Sequence, residues 1–200
     1  TQAQFKALTD QALLMGATTR FTAEQAAEGL KQLAKAGYTA EEQIASLPTV
    51  MRLAQAAATD LATAATIATV VMKEFRMDPD QFNEAADKIT LAANRTLGTV
   101  EDLGYSFKYV GALAANIGAD FGDLTAAIGL LHNAGLKGTL AGTALRGMLM
   151  ALYNPTRDET KLIAELGERI GGLGLQIQDA SGNFVGYGKI AKQLEQAGIK

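Results

Sequence analysis

The sequence predicts a mostly α-helical fold, arranged as a multi-helix bundle or a solenoid-like array of helix pairs, with a small C-terminal β-hairpin. The 200-residue chain is 48% hydrophobic but only 6% aromatic, and its Ala-rich composition is typical of helices that pack closely. Helix-start signatures also recur along the chain, each a Thr or Asp followed three residues later by Glu, Gln or Asp. An alternation of apolar and polar residues over 173–187 predicts the hairpin.

Cap signatures and glycine stops divide the chain into predicted helices. The caps are Thr22, Thr39, Asp78, Thr99 and Asp120. Glycine tolerates the backbone that ends a helix. The predicted stops are Gly16, Gly37, Gly98, Gly118, Gly135 and Gly167. The helices cover about 2–15, 23–36, 40–57, 60–76, 79–94, 100–117, 121–134, 139–153, 158–166 and 188–197. The third contains Pro48, where we expect a jog because Pro removes a helical hydrogen bond.

The helix starts recur with a period near 40 residues. Thr22, Thr59, Thr99 and Thr139 begin one helix of each predicted pair. This spacing is typical of α-solenoid arrays. Helices of about 15 residues joined by short loops also give such a period by chance, so a bundle and a repeat array both remain possible at this stage.

The C-terminal segment differs in character from the rest. Apolar and polar residues alternate on both sides of the turn Asp179–Asn183, which indicates a hairpin. Gly182 is expected to supply a positive φ angle within this turn.

Composition limits the function classes. The formal net charge is −3 and is spread evenly over both halves, so the chain lacks the basic surface of a nucleic-acid-binding domain. The absence of Cys and the single His, His132, exclude disulfides and a thiolate or histidine-based zinc site. We predict neither a signal peptide nor a membrane span, since charges interrupt every long apolar run. Because the first residue is Thr1 rather than Met, we expect a fragment or a processed product.

The sequence contains no recognisable catalytic motif. Its paired carboxylates fall in the first turns of predicted helices, where negative charge complements the helix dipole. They are Glu41–Glu42, Glu101–Asp102 and Asp158–Glu159. His132 lies at the end of a predicted helix, where we expect a favourable charge–dipole interaction rather than a general base. We therefore predict no enzyme activity and no cofactor or metal.

The segment 133–146 is the most distinctive part of the chain. Two cations flank a run of Gly, Thr, Leu and Ala. Its first two glycines are expected to end one helix and open the next, and a third would lie inside that helix, where a small side chain lets another helix approach. The predicted helix-contact or partner-binding residues are Gly135, Lys137, Gly138, Gly142, Thr143 and Arg146.

The same segment resembles the signature of the core domain of phage tail tape measure proteins, of the TP901 type. Further strings resemble that domain in order, over about residues 16–190. They are GATTRF (16–21), AAEGL (26–30), LAKAG (33–37), QI (43–44) with LP (47–48), TDLATA (59–64), KYVG (108–111) and NPT (154–156). Relatives often carry Pro soon after the KYVG string, whereas Ala112 and Leu113 follow it here.

The resemblance implies a structural protein of the virion tail, assembled in the host cytoplasm, that fills the tail tube and helps to set tail length. Its implied partners are tail tube and tail tip proteins, a tail assembly chaperone and further copies of itself, with no nucleic-acid recognition and membrane contact only during ejection. The family has no catalytic residues in this region. A cell-wall-degrading or membrane-penetrating tail module and a general helical scaffold are the alternative functions.

We expect three units. A helix over 1–15 continues from an upstream segment, residues 16–170 form the helical tape measure core module, and residues 171–200 form the hairpin and a terminal helix. As one straight helix, the whole chain would reach only about 300 Å at 1.5 Å per residue. Because caps and glycines divide it, we expect a compact module rather than the ruler itself.

Overall fold

The computed structural model describes residues 1–154, 156–169 and 175–198. Over these residues the chain is mostly helical, as predicted, and the predicted helices occur within three residues of their expected bounds. They are α1 (Gln2–Thr18), α2 (Ala23–Lys35), α3 (Ala40–Ala56), α4 (Leu61–Phe75), α5 (Pro79–Arg95), α6 (Val100–Asn116), α7 (Phe121–Asn133), α8 (Thr139–Tyr153), α9 (Arg157–Arg169) and α10 (Tyr187–Gln196).

Side-chain caps explain where several helices begin. Thr22, Thr39 and Thr99 each form the predicted reciprocal capping box with the third residue of the helix. Helix α4 is capped by Asp60, whose carboxylate accepts the Thr63 N–H at 2.9 Å. Helix α3 continues through Pro48 from Ala40 to Ala56.

Some glycines end helices and others lie within them. Gly37, Gly118 and Gly135 follow α2, α6 and α7 with φ angles of 93°, 73° and 89°, as the predicted stops require. The predicted stops at Gly16 and Gly167 are wrong, because both lie inside helices. At Gly16 a Cβ would lie 2.6 Å from the backbone nitrogen of Ala23, so this glycine allows the end of α1 to approach α2.

The helices form two layers in which each helix packs against the next but one. Helices α2, α4, α6 and α8 follow one another in one layer, and α1, α3, α5 and α7 follow one another in the other. Helices that are consecutive in sequence also touch across the layers, and α10 packs on α7. The core between the layers is rich in Ala, with Phe82 and Phe107 among its largest fully buried side chains. No helix in the described ranges has the length and apolar character needed to cross a membrane.

The predicted C-terminal β-hairpin is wrong. The described residues of this segment contain no strand, and its pairing is a single antiparallel bridge between Gln178 and Phe184. Residues 173–174 of the prediction lie outside the described residues. On one side of the bridge, the Gln176 N–H bonds the side chain of Gln193 in α10 at 2.8 Å rather than another strand. On the other side the chain turns into α10 at Gly186, with φ 91°.

The turn within this segment follows the prediction more closely. The Asp179 carboxylate accepts the N–H groups of Ser181 and Asn183 at 2.8 and 2.9 Å. Gly182 has φ 83°, the positive value expected of it. The side chain of Phe184 is buried against the helices. The predicted turn is therefore formed, although the described residues around it form no β-sheet.

Candidate functional site: the junction of α6, α7 and α8

The distinctive segment 133–146 ends α7 and begins α8. Asn133, the last residue of α7, accepts the Leu97 N–H on its side-chain oxygen at 2.8 Å and so fixes the loop between α5 and α6. After the left-handed Gly135, the Leu136 N–H returns to the Leu131 carbonyl at 2.9 Å and closes the helix. The segment thus joins α7 to α8 through its backbone. Through the side chain of Asn133 it also holds the loop between α5 and α6.

Gly138 is the N-cap of α8 and is buried. Its φ angle of 54° belongs to the region that favours glycine. Its carbonyl accepts a hydrogen bond from the Ser106 hydroxyl of α6 at 2.8 Å. This contact joins the start of α8 to the middle of α6.

Gly142 lies where α8 approaches α6 most closely. A Cβ at this position would lie 2.6 Å from the Ser106 carbonyl oxygen and 2.9 Å from the Ser106 Cα. Both atoms belong to the backbone of a packed helix and cannot move aside by a rotamer change. The close approach of the two helices therefore requires glycine at 142.

Glycines also occupy the equivalent contact between α6 and α4. A Cβ on Gly104 would lie 2.5 Å from the Ile67 side chain, and one on Gly111 would lie 3.3 Å from Glu74 Cβ. Helices α4, α6 and α8 are therefore joined through glycine contacts, each on the face that turns toward the preceding helix of the layer.

His132 is fully buried at the centre of this junction. Its Nε2 lies 3.3 Å from the Ser106 hydroxyl oxygen, and a Cβ on Gly98 would overlap its Nδ1. The predicted stop at Gly98 is wrong, since α5 ends at Arg95. Gly98 instead leaves room for the imidazole ring.

Burial lowers the pKa of His132, and the neighbouring Lys137 lowers it further, against the opposing effect of Asp102. The ring is therefore neutral near pH 7. The expected charge–dipole role at the helix C-terminus is wrong, because an imidazolium here would lose its hydration without gaining an acidic hydrogen-bond partner.

The Ser106 and His132 pair does not form a nucleophilic site. The Ser106 hydroxyl can donate its single proton to either of two backbone carbonyl oxygens, that of Asp102 at 2.9 Å or that of Gly138 at 2.8 Å. Nδ1 of His132 has no hydrogen-bond partner among the described residues, whereas a catalytic imidazole is oriented by a carboxylate at this nitrogen. Both side chains are shielded from solvent. The pair links helices and does not form a reaction centre.

The remaining predicted site residues lie on the surface. Lys137, Thr143 and Arg146 are exposed, as is Gly135. Arg146 reaches back to α6, where its guanidinium donates to the Tyr109 carbonyl at 3.4 Å. Of the six predicted residues, Gly138 and Gly142 are therefore buried against α6, and the other four are exposed around them.

One carboxylate of each acidic pair caps its own helix. Glu42, Asp102 and Glu159 accept the N–H groups of their own N-cap threonines at 2.7, 3.0 and 2.6 Å. No group of three or more potential metal ligands occurs within the described ranges. Ser106 and Gly98 were missed at the sequence level. The available sequence signal for a buried role of Ser106 was its position as a polar residue within the otherwise apolar stretch 103–107.

The comparisons with known proteins agree with a structural role. A family model described as phage-related minor tail protein matches residues 9–200. The chain is similar to a tape measure protein of Pneumococcus phage Dp-1, with 33% identity over 187 residues, which cover 94% of this chain and 16% of the relative. It is also similar to a probable tape measure protein of Escherichia phage P2, with 26% identity over 193 residues, which cover 96% and 23%. No solved structure matches it.

Proposed function

Because the chain belongs to the family of phage-related minor tail proteins, we propose that it is a folded structural module of a tail tape measure protein. The observation that carries the proposal is the family match over residues 9–200, joined by two relatives that are themselves named as tape measure proteins. Assignment to the TP901 type within this group is part of the proposal and rests on the sequence signature.

The dimensions of the helices support a module rather than a ruler. Among the described residues, the longest helices have 17 residues and span about 26 Å at 1.5 Å per residue. The chain spans 16% and 23% of the lengths of its two relatives. The sequence that sets tail length would then lie outside this module, in an extended part of a longer polypeptide.

We propose that residues 16–170 form the body of the module and that the helix predicted over 1–15 connects it to an upstream segment. Residues 171–200 would form a C-terminal unit of the module. The next-but-one contacts within both layers support a solenoid-like array of helix pairs. Gly138 and Gly142 would hold α8 against α6, and the exposed Gly135, Lys137, Thr143 and Arg146 would form the adjoining surface available to partners.

The partners we propose are the tail tube, the tail tip, the assembly chaperone and further copies of the same polypeptide. The module would be assembled in the host cytoplasm, remain in the virion tail and touch a membrane only during ejection. We propose no enzymatic activity, since the one buried serine–histidine pair joins helices and the acidic pairs cap them.

Mass spectrometry of purified tails from the phage that encodes this chain tests the proposal. We expect peptides from residues 1–200 in purified tails, and heads without tails when the gene is deleted. Purified tails that lack these peptides would overturn the structural role. Clearing of a cell-wall substrate by the purified chain in a zymogram would overturn the absence of enzyme activity.

A further inference from the structure

Within the described residues, the two-layer array leaves the groove between α1 and α2 without a covering helix. Every helix of the α2, α4, α6, α8 layer except the last rests on the helix pair that follows it: α2 contacts α3 and α4, α4 contacts α5 and α6, and α6 contacts α7 and α8. The pair α1 and α2 presents the corresponding groove. No helix of the described residues occupies it.

Buried residues recur with the same spacing along the even-numbered helices, on the side that in α6 and α8 carries the glycine contacts to the preceding even-numbered helix. In α4 they are Leu61, Ala65, Ala68 and Met72, in α6 Val100, Gly104, Phe107 and Gly111, and in α8, counted from its N-cap, Gly138, Gly142, Leu145 and Leu149. All twelve are buried. The glycine contacts show the direction: Gly104 faces Ile67 of α4, and Gly142 faces Ser106 of α6. This spacing recurs after 38 or 39 residues.

The equivalent residues of α2 are Ala23, Ala27, Leu30 and Ala34. All four line the groove between α1 and α2. In contrast to their buried counterparts in the other three helices, Ala27 and Ala34 are exposed. The contact face that is covered on α4, α6 and α8 is therefore also present on α2, where it is only partly covered.

Helix α1 forms the other wall of the groove. Phe5 and Leu13 line it and are 74% and 57% exposed, and Leu8 and Ala12 form its deeper part. The groove has an open volume of about 650 Å³. Large apolar side chains at these exposures are explained if another element covers them.

We propose that this groove is the seat of an α-helix of the same polypeptide that precedes Thr1, and that this helix packs on α1 and α2 as α2 packs on α3 and α4. The loops that lead from the even-numbered helices to the next helix have three or four residues, 36–39, 76–78 and 117–120. A helix delivered by such a loop would lie directly over the groove. The inference rests on helix packing and is independent of the tail function.

Two adjacent leucines provide a matched test. Leu13 lines the groove, whereas Leu14 is similarly exposed, at 52%, and lies outside it. A photo-crosslinking amino acid is placed at position 13 or 14 of the full-length polypeptide, and the products are mapped by mass spectrometry. Mixing isotopically light and heavy copies separates cross-links within one polypeptide from those between copies.

We expect position 13, and not position 14, to cross-link to residues upstream of Thr1 in the same polypeptide. In parallel, Leu13→Asp should speed amide exchange in α1 and α2 of the full-length protein at least tenfold relative to Leu14→Asp. Cross-links from position 13 to a second copy or to another protein would overturn the proposal. So would equal cross-linking from both positions, or equal exchange rates in the two variants.

Discussion

The close contact between α6 and α8 predicts how much a substitution of Gly142 changes the free energy of unfolding. Replacing this glycine with alanine favours the helix by about 0.5–1 kcal/mol through the lower entropy of the unfolded chain. Against this, the new Cβ would lie 2.6 Å from the Ser106 carbonyl oxygen. Overpacking typically costs about 1–3 kcal/mol, and we expect the upper part of that range because the obstructing atoms are backbone.

The net destabilisation for Gly142→Ala is therefore about 1–2 kcal/mol, which corresponds to a decrease in Tm of about 2–8 °C for a domain of this size. Gly147 provides the control on the same helix, since it is exposed and a Cβ there meets nothing within 4 Å among the described residues. Gly147→Ala should raise Tm by about 1–4 °C from helix propensity alone.

Thermal melting followed by circular dichroism measures both variants. The predicted result is a change of opposite sign at the two glycines. A Gly142→Ala protein that melts at or above the temperature of the parent would refute the close helix contact. Gly142→Leu, with a larger side chain, should lower Tm further than Gly142→Ala.

Three further predictions concern the junction and the C-terminal turn. Gly98→Ala should destabilise the fold by about 1–3 kcal/mol, because its Cβ would overlap the His132 ring; an unchanged urea midpoint would contradict this. Burial lowers the pKa of His132, so on acidification the unfolded state takes up this proton before the folded state does. The free energy of unfolding should therefore fall as pH decreases below about 6.5, the unperturbed value. His132→Gln should weaken that decrease between pH 7.5 and 5, and an equal decrease in both proteins would exclude the effect. Gly182→Val should lower Tm more than Ser181→Ala, because φ is 83° at the glycine and a positive φ costs other residues about 1–2 kcal/mol; equal melting temperatures would be inconsistent with the turn.

Local chemistry made the helices predictable. Reciprocal caps at Thr22, Thr39 and Thr99 act within three residues, so their signatures are present in the sequence before any tertiary contact forms. The glycines that follow α2, α6 and α7 end those helices for the same local reason. At Asp179–Asn183 the turn was predictable, while the sheet was not, because strand formation depends on a neighbouring strand, and the described residues contain none.

The roles of two glycines and of His132 depend on tertiary contacts and were not predictable from the sequence. Gly16 and Gly98 were predicted as helix stops, yet each makes room for another element. Gly16 lies against the backbone nitrogen of Ala23 at the start of α2, and Gly98 lies against the ring of His132 in α7. The lowered pKa of His132 likewise depends on its burial in the folded protein. Such roles need the packed structure, since a glycine carries no side chain from which its neighbour could be inferred.

The central claim is that this chain remains a folded module within the tail, and a distance measurement in assembled tails tests it most directly. Spin labels on the exposed residues Lys35 of α2 and Ala144 of α8 would be separated by three interaxial steps of about 8–10 Å, together with the reach of the labels. As one extended helix, the two labels would be 109 positions apart in sequence and would be separated by about 160 Å. Dipolar coupling at about 25–50 Å is the predicted result, and loss of coupling in assembled tails, as an extended helix requires, would contradict the account.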